Sequence, residues 1–260
     1  MNTRVPGTKI GFFDSGLGGL TILRAVRAHL PQYDYVYFGD TANVPYGNKT
    51  ETQVQELTRA GIEKLFDLGA ELIIVACNSA SAESLRMLQD TMVRERYPEK
   101  RVLGVIIPTI EALVDSGARE VLLIATTRTV ESQKYERELS KLSDAIHVRS
   151  VATPTLVPLI EAHELAQAFG EAKKAIDPSV GEIDTLVLGC THYTLLKEAL
   201  REAYSIRVIS QDEIIPEKLA GYLERHREID ERLTQGRGVE IVLSAESVQY
   251  EKIKNDFLDV

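Results

Sequence analysis

The chain contains two cysteines, Cys77 and Cys190, and they occupy matching places. One lies in Glu71-Leu-Ile-Ile-Val-Ala-Cys-Asn-Ser-Ala-Ser-Ala82 and the other in Asp184-Thr-Leu-Val-Leu-Gly-Cys-Thr-His-Tyr-Thr-Leu-Leu196. Each stretch is an apolar run, then a small residue, a cysteine, two polar residues and a helix-like segment. The run reads as a strand, so each sulfur falls at a strand end just before a helix start. Free backbone N–H groups there favour the thiolate and lower a thiol pKa from about 8.5. A buried, inert cysteine is the commoner fate, but it does not explain why both thiols share one setting.

Several chemistries use two thiols. A dithiol redox pair usually reads Cys-x-x-Cys, whereas these are 190 − 77 = 113 residues apart. A Cys-His hydrolase would pair Cys190 with His192 and leave Cys77 without work. Inversion at a carbon needs a base on one face and an acid on the other. One thiolate and one thiol fit that task symmetrically and exchange roles with substrate handedness. Metal binding fits poorly, because His29, His147, His163, His192 and His226 do not pair at ligand spacing. His29, His163 and His226 read as solvated.

Other polar residues collect at strand ends, where open α/β sheets bind ligands: Asp14, Asp40, Thr126 and His192 join the cysteines there. Asp14-Ser15 reads as a helix cap or as a carboxylate that holds a substrate amine beside Cys77. Gly16, Gly18 and Gly19 fail the dinucleotide fingerprint, because Thr21 stands where its last glycine belongs, and no P-loop is present. No lysine sits at a strand end where pyridoxal phosphate would need one. No cofactor is expected. Asp40-Thr41 and Tyr46-Gly47 share a loop whose ordinary reading is turn chemistry. Thr126 and Thr129 read as caps and Glu161 as a surface charge.

The elements that must carry these residues alternate. Strands are expected at 9–13, 34–38, 72–76, 102–107, 121–125, 146–151, 185–188, 207–209 and 239–243. Helices are expected at 20–30, 50–68, 80–96, 109–116, 130–142, 159–176, 195–204, 214–227 and 250–258. Short, nearly all-apolar strands between helices imply parallel sheets covered on both faces. The rhythm repeats after Pro98, a duplication by pattern without identity. The expected fold is α/β, with two similar domains, each a mostly parallel sheet flanked by helices, and the active site in the cleft between them. The expected division is 1–99 plus 209–260 on the Cys77 side and 100–208 on the Cys190 side.

Hydrophobic residues make up 44%, enough for such cores. The formal net charge of −9 disfavours nucleic acid, whose phosphates need Lys and Arg, and a basic membrane helix. No apolar run approaches a membrane span, and the start Met-Asn-Thr-Arg-Val-Pro-Gly has no signal-like core, so a cytoplasmic location is expected.

Four stretches taken together resemble the bacterial glutamate racemase family: Ile10-Gly-Phe-Phe-Asp-Ser-Gly-Leu-Gly-Gly19, Phe38-Gly-Asp-Thr-Ala-Asn-Val-Pro-Tyr-Gly47, Ala76-Cys-Asn-Ser-Ala-Ser-Ala82 and Leu188-Gly-Cys-Thr-His-Tyr193. Leu156-Val-Pro-Leu-Ile-Glu161 extends the likeness over nearly the whole chain. The resemblance implies a cofactor-independent, commonly homodimeric racemase that interconverts L- and D-glutamate, the D-product feeding peptidoglycan synthesis. It implies that Cys77 and Cys190 are the two catalytic bases, with Asp14 and His192 as their assistants. It further implies substrate contacts from Asp14, Ser15, Tyr46, Gly47, Asn78, Ser79, Thr191 and His192. Asp40, Thr41 and Glu161 stand at the site's edge. Asn43, Ser79, Thr153 and Thr194 depart from the family's usual Arg or Lys, Thr, Cys and Pro. Racemisation of aspartate or another amino acid, or glutamate binding without turnover, are the alternatives.

Overall fold

The computed structural model describes residues 8–247, 250 and 251. Among the described residues nine strands form: β1 (Lys9–Asp14), β2 (Tyr35–Gly39), β3 (Ala70–Val75), β4 (Arg101–Gly104), β5 (Glu120–Ala125), β6 (His147–Ala152), β7 (Thr185–Gly189), β8 (Arg207–Ile209) and β9 (Val239–Leu243). They build two sheets, ordered β4-β3-β1-β2-β9 and β6-β5-β7-β8. All pairings are parallel. Read from the other edge, the second sheet runs β8-β7-β5-β6, the order of the first four strands of the first sheet. The repeated rhythm of the sequence is therefore a repeated topology, with β9 added to one copy.

Alternate residues of each central strand enter opposite cores, as the two-residue period requires. Ile10, Phe12, Leu72 and Ile74 face one side of the first sheet, and Phe13, Ile73 and Val75 the other. In the second sheet Leu122 and Ile124 part from Val121 and Leu123 in the same way. The helices supplying the other half of each layer are α1 (Leu20–His29), α2 (Glu51–Asp67), α3 (Asn78–Glu83), α4 (Leu85–Leu88), α5 (Arg94–Arg96), α6 (Ile106–Ser116), α7 (Thr127–Glu131), α8 (Lys134–Leu139), α9 (Leu156–Glu161), α10 (Leu165–Ile176), α11 (Lys197–Ala203), α12 (Gln211–Arg225) and α13 (Arg227–Asp230).

Several boundaries depart from expectation. The strand expected to run to Ile107 stops at Gly104, and Ile106, Ile107 and Pro108 form the first turn of α6. Proline is tolerated there, since its missing N–H has no partner within the helix. The first sheet thus includes β4, beyond the expected boundary at residue 99, and the chain crosses to the second sheet after Gly104. The helix expected over 80–96 is broken at Ser84, whose hydroxyl contacts Thr58, and loosens into a π turn over Gln89–Val93. That over 130–142 is interrupted at Gln133, which has a φ of 50°. The helix expected over 250–258 lies outside the described residues beyond Glu251.

Gly61 lies within α2 with its Cα against the Phe13 ring, and a Cβ there would stand 2.2 Å from Phe13 Cε2. Alanine would gain about 1 kcal/mol of helix propensity and incur an overpacking cost of about 1–3 kcal/mol or more. Gly61→Ala is expected to lower stability by up to about 2 kcal/mol, a fall of up to about 8 °C in Tm by calorimetry. An unchanged Tm would show that the Phe13 ring shifts freely.

Candidate active site

In each sheet the order reverses between two central strands, β1 and β3 in one, β5 and β7 in the other. The crevice at the carboxyl end of such a reversal is where doubly wound sheets bind ligands. Asp14 ends β1, Cys77 follows β3, Thr126 follows β5 and Cys190 follows β7. The two crevices meet. Ser15, Tyr46, Gly47, Cys77, Asn78 and Ser79 from the first half line one cavity with Thr126, Cys190, Thr191 and His192 from the second. Both thiols are buried, at 6% and 7% exposure, and neither forms a disulfide. The cavity measures about 20 Å³. One water needs about 10–15 Å³ on that scale, so the chamber is closed down to roughly one water molecule.

Cys77 is the N-cap of α3, with Sγ donating to Ser15 Oγ at 3.4 Å. The helix start was expected to lower its pKa. Burial outweighs that contribution and, with the nearby Asp14 carboxylate, pushes the thiol up to about 12, against the lowering from Ser15 and the Ala80 N–H. Asp14 is fully buried and accepts from the Gly16 N–H at 3.0 Å. Its other oxygen accepts from Thr191 Oγ1 at 3.3 Å, across the two halves. Burial raises its pKa despite the favourable charge of His192.

His192 Nδ1 lies 3.9 Å from Cys190 Sγ, and its Nε2 is 3.1 Å from Glu161 Oε1. Burial would lower the imidazole pKa. Hydrogen bonds to Cys190 and Glu161, with the charge of Asp14, outweigh it and raise the value to about 10. A cation therefore stands beside one sulfur and a carboxyl group beside the other. Glu161 is a partner of His192 rather than the free surface charge its helix position suggests.

Gly18 explains the glycine cluster that fails as a nucleotide fingerprint. A Cβ there would stand 2.4 Å from Thr191 Oγ1 and 2.7 Å from His192 Nδ1. Gly47 likewise leaves room for Thr126, whose Cβ would be 2.7 Å from an added one. Asp40 and Thr41 lie behind this wall. Asp40 accepts from Tyr46 Oη at 2.7 Å, from Ser244 Oγ at 2.7 Å and from Asn43 Nδ2 at 3.0 and 3.1 Å. Thr41 ties the loop to Ala245.

Of the departures, Asn43 thus bonds Asp40, while Ser79 Oγ meets Thr126 Oγ1 at 2.8 Å. Thr153 Oγ1 meets Tyr193 Oη at 2.7 Å, and Thr194 Oγ1 meets Ser210 Oγ at 3.3 Å. Thr126 caps α7 by accepting from the Thr129 N–H at 3.3 Å, as expected. It also lines the chamber, as do Val44, Pro45 and Val157, which sequence reasoning missed. For Thr126 the strand-end position was the available signal, and for the apolar residues it was their place inside the stretches 38–47 and 156–161 that carry the resemblance. His29, His147 and His163 are exposed and His226 is half-buried. Among the described residues no cluster of three metal-ligating side chains occurs.

Residues 20–215 match the family described as Asp/Glu/Hydantoin racemase. A glutamate racemase of Roseobacter denitrificans is 39% identical over 233 residues, covering 84% of this chain and 86% of that protein. The crystal structure of glutamate racemase from Francisella tularensis subsp. tularensis SCHU S4 in complex with D-glutamate superimposes with a TM-score of 0.86 at 27% identity, covering 98% of this chain and 95% of that one. Aspartate racemase from Picrophilus torridus, at 23% identity and a TM-score of 0.61, covers 89% of this chain and 98% of its own and shares the fold. Paired crevices meeting at two thiols, the match over most of the chain and the likeness to solved racemases make it a member of the Asp/Glu/hydantoin racemase family.

Proposed function

We propose that this chain is a glutamate racemase that moves the Cα proton between Cys77 and Cys190 without a cofactor. The observation that carries this reading is a single chamber walled by two thiols from equivalent strands of duplicated sheets. The choice of glutamate rests on the relatives, which are named for it.

The Cα hydrogen of an amino acid is a very weak acid, so a thiolate removes it only where the developing carbanion is stabilised and shielded from water. In one direction the thiolate on one side takes the Cα proton and becomes a thiol. The thiol opposite then gives its proton to the other face and becomes a thiolate. Asp14 exchanges protons with Cys77, and His192 exchanges them with Cys190, so the starting state is restored. The substrate ammonium brings a positive charge next to Asp14 and Cys77. That charge offsets the burial that holds Cys77 as a thiol in the closed chamber. Ser15, Tyr46, Gly47, Asn78, Ser79 and Thr191 hold the ammonium and carboxylates.

A chamber of about 20 Å³ does not admit glutamate. The halves part for entry and close for chemistry, a gating step of the kind common in such clefts. D-Glutamate supply for the cell wall, a cytoplasmic setting and a homodimer belong to the same reading. No described helix is long and apolar enough to cross a membrane.

The test is circular dichroism of L-glutamate incubated with the protein and no added cofactor. The ellipticity is expected to decay to zero. Unchanged glutamate with aspartate racemised instead would reassign the substrate, and glutamate bound without turnover would make the chain a binding protein.

A further inference from the structure

Four buried polar side chains lie behind Cys77 and take no part in the proton transfers above. Asn78, Gln211, Tyr135 and Thr109 are 2%, 2%, 1% and 0% exposed. They come from α3, α12, α8 and α6, and Gln211 and Thr109 stand just past the two points where the chain crosses between the sheets. The Asn78 and Gln211 carboxamides pair head to tail. Asn78 Nδ2 donates to Gln211 Oε1 at 2.8 Å, and Gln211 Nε2 donates to Asn78 Oδ1 at 2.8 Å. Tyr135 Oη donates to the same Asn78 Oδ1 at 2.8 Å and accepts from Gln211 Nε2 at 3.1 Å.

The polarity of this ring follows from its donors and acceptors. Thr109 Oγ1 gives its proton to the Val105 carbonyl at 2.7 Å, so it faces Gln211 as an acceptor, at 3.4 Å from Nε2. That fixes which end of the Gln211 amide is the NH2 group, and the head-to-tail pair then fixes Asn78. Both lone pairs of Asn78 Oδ1 are filled, by Gln211 and by Tyr135. One Nδ2 hydrogen is committed to Gln211, and the other remains. Asn78 is also part of the chamber wall. What this side chain can offer a ligand is therefore a donor and not a carbonyl oxygen.

We propose that Gln211 and Tyr135 are positioning residues that lock the Asn78 carboxamide as a hydrogen-bond donor to a substrate carboxylate. A freely turning amide would also present its oxygen, which repels a carboxylate. The lock thus favours anionic ligands before any chemistry occurs. This inference rests on the glutamate reading for the identity of the carboxylate, and on the four side chains alone for the polarity.

The test compares Gln211→Met, Tyr135→Phe and Gln211→Glu with wild type in glutamate kinetics. KM is expected to rise about tenfold or more in Gln211→Met, the range for one hydrogen bond to a charged group, and less in Tyr135→Phe, with kcat within about threefold of wild type in both. Gln211→Glu mimics the carboxamide only while its carboxyl is protonated. Its KM relative to wild type is expected to fall as the pH is lowered, whereas that of Gln211→Met stays raised.

Side-chain amide NMR of the ligand-free protein reads the lock without any substrate. The Asn78 NH2 group should exchange slowly with solvent in wild type and faster in Gln211→Met. If that variant does not fold, Tyr135→Phe serves in the same comparison. Wild-type KM in both uncharged variants, a loss confined to kcat, or an Asn78 amide that exchanges like a surface group would each overturn the proposal. A wild-type protein that leaves glutamate unracemised would sink the functional reading and leave the NMR result standing.

Discussion

Replacing either Cys77 or Cys190 with serine will abolish racemisation, lowering kcat/KM by more than the roughly 10²–10⁴-fold typical of one acid–base group. The expectation follows from the walls of the chamber. Each sulfur comes from its own half, and neither half brings a second thiol to the cavity. A serine hydroxyl keeps the shape but is far less acidic than a thiol. The equilibrium between enantiomers lies at unity, so a single substitution must lower kcat/KM equally in both directions. Proton exchange has no such symmetry. The surviving thiol still faces one enantiomer, and each variant should exchange the Cα hydrogen of that enantiomer with deuterated solvent while failing to invert it. Polarimetry with mass spectrometry measures both quantities. Full racemisation by either serine variant would remove the two-base scheme.

The second large effect belongs to His192. Its pKa rises from 6.5 to about 10, since bonds to Cys190 and Glu161 and the Asp14 charge outweigh the burial that lowers it. The imidazolium therefore persists through neutral pH beside Cys190. His192→Asn keeps a polar side chain and loses the exchangeable proton, and kcat is expected to fall about 10²–10³-fold, within the range of one acid–base group. In wild type, the limb of kcat/KM that reports His192 should fall as the pH passes about 10, not near 6.5. The same shift acts on stability. A raised folded-state pKa contributes stability that is fully present below 6.5 and is lost as the pH rises through about 10. Thermal melts of wild type and His192→Asn across that window should converge toward its upper end. A wild-type activity limb near 6.5 would mean that His192 does not keep its proton as proposed.

The sequence made the strand ends legible because apolar runs bounded by small residues have few other readings. On that ground alone Cys77, Cys190 and Asp14 are expected at strand ends, and the structure has them there. The protonation of Cys77 was not legible. A helix start lowers a thiol pKa, but here burial wins, and Cys77 is packed among Phe13, Val36 and Tyr46, which nothing local to the cysteine announces. The Asn78–Gln211 pair was invisible for the same reason, since it spans 133 positions. Glu161 looked like a helix-surface charge because nothing local to α9 announces that His192 lies against it. Helix continuity was overread where polar side chains bond elsewhere, as Ser84 does with Thr58. Ile106 and Ile107 continue the apolar run of β4, and Pro108 is as compatible with the first turn of a helix as with the end of a strand.

The most direct test of the account follows the Cα hydrogen during the first turnovers of L-glutamate in deuterated water. With separate acids on the two faces, D-glutamate should carry solvent deuterium at Cα from its first appearance, while unreacted L-glutamate stays largely unlabelled. D-Glutamate that keeps the substrate's own hydrogen would mean that one group serves both faces, and would contradict the arrangement of the two thiols proposed for this chain.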